Sequence, residues 1–256
     1  MSKDNSTTTY ESGNPYKDVT IEEAGSGIFQ ISGDLGEGIF KNYQEKLKND
    51  YNNSPLLQYL FKDSRGRLRN ANPFIKVLLE SFLEQKGLAF PRFMNLGVAL
   101  KYFPRELGSF TIDIGFVLRS NIDFYKPNNT IVEDLTDQVK TLRGNLEFPV
   151  LISLRGTKLQ SYPGSRYDSL SFRLTEETEI ISSLVLNQEG YFSPDELDEN
   201  ICLPKTTRQE RRPGDLELIV GQSGLCRAYI NVFGDIDTET KDLGITDYSP
   251  VLVVKK

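Results

Sequence analysis

The side chains of this chain that could take part in chemistry are its carboxylates, lysines, arginines, tyrosines and two cysteines, because the sequence contains no histidine and no tryptophan. Histidine is the usual general base near neutral pH and the commonest metal ligand. Its absence argues against Ser-His-Asp and Cys-His nucleophilic sites and against histidine-bound zinc, haem or copper. We therefore predict no catalytic residues, no metal site and no cofactor, and we favour a non-enzymatic protein.

Carboxylates alone can hold Ca²⁺, and one acidic pattern invites that interpretation. Asp235, Asp237 and Glu239 alternate directly after a predicted strand. An EF-hand loop would need glycine where Thr240 stands and a bidentate glutamate where Thr246 stands. Both are missing, so we predict a solvated acidic turn.

A magnesium-dependent nuclease is the remaining enzyme hypothesis, since carboxylates and a lysine suffice for that chemistry. It would place an Asp and a Glu-x-Lys on adjacent strands, but the triplets that begin at Glu84 and Glu239 lie outside predicted strands. Asp113 does lie within a strand, on the face opposite the aliphatic side chains, where we expect a solvated carboxylate. The nuclease is our third hypothesis.

The glycine-rich segment 33–38, GDLGEG, lies just before a predicted helix and superficially suggests a phosphate-binding loop. Its spacing matches neither GxGxxG nor GxxxxGK[ST], and its two carboxylates would repel a phosphate. We interpret it as a flexible lead into the helix.

Basic residues interleaved with aromatic residues form the strongest functional pattern. Three arginines alternate in segment 61–70, further cations and aromatics occur between residues 90 and 105, and segment 204–214 is a basic loop between two prolines. Proteins that bind single-stranded nucleic acid combine cationic grooves with aromatic faces on which bases stack. The alternative is a solvated basic surface over an aromatic core. The candidate nucleic-acid-binding residues are Arg65, Arg67, Arg69, Arg92, Lys101, Arg105, Lys205, Arg208, Arg211 and Arg212.

The charge of the chain is unevenly distributed along the sequence. Residues 1–38 carry two basic and seven acidic residues, residues 61–120 carry ten basic and five acidic, and residues 121–200 carry seven basic and fourteen acidic. Such segregation bears on partners and electrostatic steering.

Residues 1–25 are acidic and poor in aliphatics, so we predict a flexible tail that could compete with nucleic acid for the basic segment.

Composition and length favour an ordinary soluble chain, with 38% hydrophobic and 26% charged residues in 256 positions. No apolar stretch approaches the roughly 20 residues of a membrane span, and the N-terminus resembles no signal peptide. We therefore expect a cytoplasmic protein with no membrane association. The two cysteines, Cys202 and Cys226, are expected to be buried thiols and not redox or metal residues.

The periodicity predicts one α+β domain over residues 26–256, with an exposed basic loop at 204–214. Helices are predicted near 39–62, 73–86 and 130–143, with a capping asparagine at Asn72 and a stop at Gly87. Strict alternation predicts a half-buried strand at 110–119, paired with a strand at 96–103. Segments 216–220 and 225–233 are predicted to form a hairpin. Successive strands late in the chain favour a mainly antiparallel sheet or a partly closed barrel, with helices packed on it.

Three functions remain open at this point. The first is a non-enzymatic accessory protein that binds single-stranded nucleic acid without sequence preference. The second is a non-catalytic subunit of a larger protein assembly, with homo-oligomerisation possible, and the third is the nuclease. If the first holds, the arginines at 65–69 and 208–212 should be exposed and unpaired, and removal of residues 1–25 should strengthen binding.

Overall fold

A computed structural model of the chain describes residues 20–25, 27–70, 72–102, 111–119, 129–221, 224–244 and 249–256. Within these ranges the protein has a mixed α+β fold, as the sequence predicts, built around a seven-stranded sheet that curls into a half-barrel. Residues 1–19 of the predicted tail lie outside the described residues, and residues 20–25 form a strand.

Four α-helices occur in the described ranges: α1 (Gly33–Asp50), α2 (Pro73–Glu84), α3 (Phe93–Tyr102) and α4 (Asn129–Arg143). Short 3₁₀ turns lie at Pro55–Leu57, Leu184–Asn187 and Pro194–Glu196. The capping prediction for α2 is confirmed, because Asn72 Oδ1 accepts a hydrogen bond from the N–H of Ile75 at 3.0 Å. Gly87 follows the helix with a positive φ of 65°, which glycine adopts without strain.

The strands are short and pair almost entirely antiparallel. They are β1 (Thr20–Gly25), β2 (Ile28–Ser32), β3 (Phe61–Lys62), β4 (Leu68–Asn70), β5 (Leu88–Ala89), β6 (Ile112–Leu118), β7 (Val150–Ser153), β8 (Lys158–Ser161), β9 (Leu170–Arg173), β10 (Ile180–Ser182), β11 (Gly190–Phe192), β12 (Leu197–Asp198), β13 (Leu203–Pro204), β14 (Leu216–Val220), β15 (Leu225–Ile230), β16 (Ile236–Thr238), β17 (Ser249–Pro250) and β18 (Leu252–Lys255). The large sheet has the order β10-β7-β6-β15-β16-β14-β11. Smaller sheets have the orders β1-β2-β18-β5, β17-β4-β3, β12-β13 and β8-β9.

Two topological predictions are wrong. Strands β14 and β15 do not form a hairpin, because β16 lies between them, antiparallel to β15 and parallel to β14. The segment predicted as a strand at 96–103 is helix α3, whose buried residues include Phe93, Leu96 and Leu100 at helical spacing. The partners of β6 are therefore β7 and β15.

Strand β6 lies between β7 and β15 in the large sheet and is buried on both faces, whereas alternation predicts a half-buried strand. A bulge opposite Ala228 and Tyr229 interrupts its pairing with β15. Ile112 and Ile114 consequently pack in one hydrophobic cluster with α3, while Phe116 and Leu118 pack in the other with α1, α2 and α4. A bulge inserts one unpaired residue and reverses which side chains face each side of a sheet.

Candidate functional site

The predicted basic segment 61–70 folds into a hairpin formed by β3 and β4, with Phe61 directly opposite Arg69. Directly opposed residues of an antiparallel pair project from the same face. Phe61 is 38% exposed and Tyr59, two residues earlier, is 43% exposed. Their rings lie 6.4 Å apart at an angle of 53°. The structure thus places two partly exposed aromatic rings beside the predicted arginines. Arg65 is exposed as predicted, whereas Arg67 and Arg69 are half-buried, which differs from the prediction. We call Tyr59, Phe61, Arg65, Arg67 and Arg69 the aromatic hairpin.

The tip of the aromatic hairpin is held by the carboxylate of Asp63. Asp63 Oδ1 accepts hydrogen bonds from the backbone N–H of Arg65 at 2.8 Å and of Arg67 at 2.9 Å. Desolvation raises the pKa of Asp63, but these N–H groups and the charges of Arg67 and Arg69 outweigh it and lower that pKa. The tip is therefore ordered by one side chain, while the Arg65 side chain is exposed to solvent.

The tip also rests on the first turn of α1, which explains the glycine-rich segment. Gly33 N–H donates to the carbonyl oxygen of Arg65 at 2.8 Å. A Cβ atom at Gly36 would lie 1.9 Å from the carbonyl oxygen of Gly66. The predicted flexible lead is therefore the start of α1, and its glycines permit close backbone contact with the hairpin.

The basic loop 204–214 differs from the prediction at its centre, because Arg208 is paired. Its guanidinium forms ion pairs with Glu196 and Asp215. Its backbone bridges to Tyr191 in β11 through hydrogen bonds of 2.8 and 2.9 Å. Arg208 therefore fixes the loop to the sheet.

The neighbouring cations of this loop are exposed. The guanidinium of Arg211 lies 5.6 Å from the ring centroid of Tyr191, and the side chains of Lys205 and Arg212 face solvent. The loop packs beside β11 and β14, whose residues belong to the α3 cluster, whereas Leu68 of the aromatic hairpin belongs to the α1–α2–α4 cluster. The two sets of arginines therefore rest on different parts of the core.

The remaining predicted cations do not join either group through a described contact. Arg92 is exposed just before α3. Lys101 lies 3.7 Å from Glu199 and 5.5 Å from the centroid of the Tyr102 ring. Arg105 lies outside the described residues.

Asp113 is where the structure departs most from the sequence-based expectation, because its carboxylate is buried and not solvated. It lies between Arg227 of β15, with which it forms an ion pair, and Lys76 of α2 at 3.0 Å. The β6 bulge directs Asp113 toward α2. Desolvation alone would raise its pKa, but the charges and hydrogen bonds of Arg227 and Lys76 lower that pKa to about 2. This ion cluster joins sheet and helix within the core.

A second buried carboxylate, Glu80 of α2, lies at the base of an open groove of about 650 Å³ between α2 and segment 156–177. Both of its oxygens lie near the N–H of Gly156, at 2.9 and 3.2 Å. Burial raises the pKa of Glu80 to about 7. The groove edge carries both signs of charge, including Lys158, Arg173 and Glu177, so it selects no ligand class.

The acidic segment 235–239 is not the predicted solvated turn, because Ile236–Thr238 is strand β16 and the carboxylates of Asp235 and Asp237 are buried. Only Glu239 of the three is exposed. Asp235 accepts from the N–H of Glu217 at 2.9 Å, and Asp237 accepts from the hydroxyl of Tyr229 at 2.8 Å. Glu84 pairs with Lys256 at 2.7 Å. Across the described ranges, no group of three or more His, Cys, Asp or Glu residues is arranged to hold a metal ion.

One feature escaped the sequence analysis. The turn between β15 and β16 exposes Val232 by 49% and Phe233 by 78%. The side chain of Asn231 accepts hydrogen bonds from the N–H groups of Phe233 and Asp235, which hold the turn in shape. The spacing of Asn231 and Gly234 marks a turn in the sequence, but nothing in the sequence marks the exposure of Val232 and Phe233.

Comparison with known proteins leaves the class of the protein open. No protein family, no curated protein and no solved structure matches the chain significantly. None of the helices in the described part of the chain is long and apolar enough to span a membrane.

Proposed function

We propose that the protein binds single-stranded nucleic acid without sequence preference, through the aromatic hairpin. The observation that carries this proposal is the exposed ring pair, Tyr59 and Phe61, with Arg69 directly opposite Phe61 on the neighbouring strand. Every base presents a π-face, so stacking on such rings tolerates any sequence.

The arginines of the hairpin supply the electrostatic part of this interaction. Arg65 at the tip is exposed, and the backbone contacts to Asp63 and Gly33 fix its position. Cations that contact phosphates release condensed counterions, so affinity falls as salt increases. The hairpin thus provides stacking surfaces and phosphate contacts on one small element.

The loop 204–214 is a secondary surface in this proposal. Arg211 and Arg212 are the residues available for phosphate contacts, while the ion pairs of Arg208 neutralise much of its charge. Removal of Arg208 should therefore act on the shape of the loop more than on the salt dependence of binding.

Fluorescence anisotropy of labelled oligothymidine and of mixed-sequence single strands, across a salt series, tests the proposal. Phe61→Ala should lower the affinity for both oligonucleotides by roughly tenfold, since stacking contributes about 1–3 kcal/mol per base. Arg65→Gln should lower the salt slope by about 0.7 for its lost phosphate contact. Absence of binding at low salt, or unchanged affinity in both variants, would overturn the hairpin as a nucleic-acid site.

Phe233→Ala is the matched control, because it removes an even more exposed ring that lies outside the hairpin. Its affinity should equal that of the unmodified protein. Removal of residues 1–19, which keeps strand β1, removes three acidic and two basic residues, so only a small gain in affinity at low salt is expected if this segment competes for the hairpin. Incubation with magnesium separates binding from the nuclease alternative, which requires cleavage.

A second function, as a non-catalytic assembly subunit, is favoured by the Val232–Phe233 turn. Exposed apolar side chains on an ordered turn are typical of protein contact sites. Light scattering of the unmodified protein and of Phe233→Ala tests it. Oligomers that disappear in the variant would support homo-assembly, and a monomer in both cases would count against it.

A further inference from the structure

The groove between α2 and segment 156–177 carries both signs of charge, but these charges differ in whether the chain already pairs them. Three charged residues of its lining form ion pairs, namely Lys46 with Asp50, Glu84 with Lys256 and Glu176 with Arg143. Lys158, Arg173 and Glu177 also line the groove, are exposed, and form no ion pair with a described residue. The exposed charges left for a ligand are therefore two cations and one carboxylate.

The two cations are neighbours by register. Lys158 of β8 lies directly opposite Arg173 of β9. Side chains opposed in this way project from one face with their Cβ atoms about 5 Å apart, and like charges at such positions destabilise the strand pair. Solvent weakens this repulsion, and an anion held between the two side chains would turn it into attraction.

The interior of the groove differs in character from this cationic edge. Val77 and Leu78 of α2 and the half-buried Leu159 of β8 contribute apolar surface. Burial raises the pKa of Glu80, at the base, to about 7, so near neutral pH this carboxyl is partly ionised and disfavours an anion beside it. An anionic group is therefore favoured at the edge, and an uncharged group is favoured toward the base.

We propose that the groove binds an organic anion of small-molecule size, with its carboxylate or phosphate group between Lys158 and Arg173 and its apolar part along Leu78 and Leu159. The guanidinium fork of arginine matches the two oxygens of either group, and the lysine adds a point charge. The groove volume of about 650 Å³ is ample for such a molecule. Glu177 weakens the interaction, because its carboxylate repels the anion.

Ligand-observed NMR titration of the full chain tests the site with naphthoate, naphthyl phosphate, naphthol and inorganic phosphate. The two organic anions should bind, and the tighter of them identifies the anionic group. Naphthol lacks the charge and inorganic phosphate lacks the apolar part, so both should bind at least about tenfold more weakly. Naphthol as tight as naphthoate, inorganic phosphate as tight as naphthyl phosphate, or no binding of either organic anion would overturn the proposal.

Variants at exposed positions assign the binding to the opposed cations. Lys158→Gln and Arg173→Gln should each lower the affinity for naphthoate by about fivefold, the upper value for an exposed ion pair. Glu177→Gln should raise it. Lys41→Gln is the matched control, because it removes an exposed cation that does not line the groove, and its affinity should equal that of the unmodified protein. Equal losses in Lys158→Gln and Lys41→Gln would indicate general charge attraction and refute the site.

Two further measurements separate this site from other uses of the same cations. Without ligand, Lys158→Gln should unfold at the same or a slightly higher urea concentration, since it removes a like-charge contact. A clear loss of stability would show that the chain already pairs this lysine and would contradict the proposal. The affinity of Lys158→Gln for oligothymidine should change no more than that of Lys41→Gln. A larger loss would assign the cation pair to nucleic acid and overturn the small-molecule site, while the aromatic hairpin is tested by its own variants.

Discussion

Arg227 and Arg69 occupy equivalent positions in two strand pairs, since each lies directly opposite a phenylalanine on the neighbouring strand, Phe116 and Phe61. Arg227 is fully buried and paired with Asp113. Arg69 is half-buried in the short β3–β4 hairpin, beside the partly exposed rings of Tyr59 and Phe61. The same residue pair therefore takes part in the core in one region and in a solvent-facing surface in the other.

The difference arises from what covers each strand pair. Helix α2 lies over the β6–β15 pair and contributes Lys76 to the ion cluster, so every charge there must be compensated inside the protein. One face of the β3–β4 pair carries Leu68, which packs in the cluster with α1, and the other face carries Phe61, which is exposed, and Arg69, which is half-buried. An Arg–aromatic pair thus indicates a binding surface only where no further layer of the fold covers it.

The largest expected effect is at the buried ion cluster. Asp113→Asn leaves two buried cations without their carboxylate, and loss of one partner from a buried pair costs about 3–5 kcal/mol of the free energy of unfolding. Urea unfolding measures it. Glu84→Gln is the control, because its pair with Lys256 is exposed and should contribute no more than about 1 kcal/mol. If Asp113→Asn lowered the free energy of unfolding by less than about 1 kcal/mol, the buried ion cluster would contribute no more to stability than an exposed ion pair.

An intermediate effect is expected at Glu80, and it depends on pH. Its pKa is raised from 4.5 to about 7 in the folded protein, so the folded state binds more protons than the unfolded state between these values. Stability should therefore fall as pH rises from about 4.5 to about 7, by up to about 3 kcal/mol at about 1.4 kcal/mol per pKa unit. Glu80→Gln should lack this fall. If the free energy of unfolding of the unmodified protein and of Glu80→Gln changed with pH in the same way, the raised pKa would not belong to Glu80.

The sequence predicted most clearly those features that depend on local chemistry. Asn72 and Pro73 define the start of α2, and the 3.6-residue repeat of apolar residues identifies its buried face. The arginines of segment 61–70 lie in one short hairpin, which keeps sequence neighbours close, although only Arg65 has the predicted exposure. The mixed α+β class followed from the order of such local patterns.

Long-range pairing was not predictable from the same signals. Strand β16 enters the sheet between β14 and β15, and a turn signal at 221–224 contains no information on this insertion. The bulge in β6 moved Asp113 from an expected solvent face to the core, and α2 supplied a lysine from a distant segment. Arg208 likewise found its acidic partners through the fold, since Glu196 lies 12 residues earlier in the chain.

The smallest expected effect is at the tip of the aromatic hairpin. In Arg65→Gln the backbone N–H still donates to Asp63 and the carbonyl still accepts from Gly33, because neither contact uses the side chain. The exposed guanidinium should therefore contribute within about 0.5 kcal/mol to the free energy of unfolding. Arg212→Gln is a matched variant, since its described contact to Asp215 is also through the backbone N–H. Urea unfolding of both, beside Asp113→Asn, measures the contrast directly. A loss above about 1.5 kcal/mol in Arg65→Gln would show that its side chain is part of the packing, and the hairpin would then resemble the core cluster and lose its standing as a binding surface.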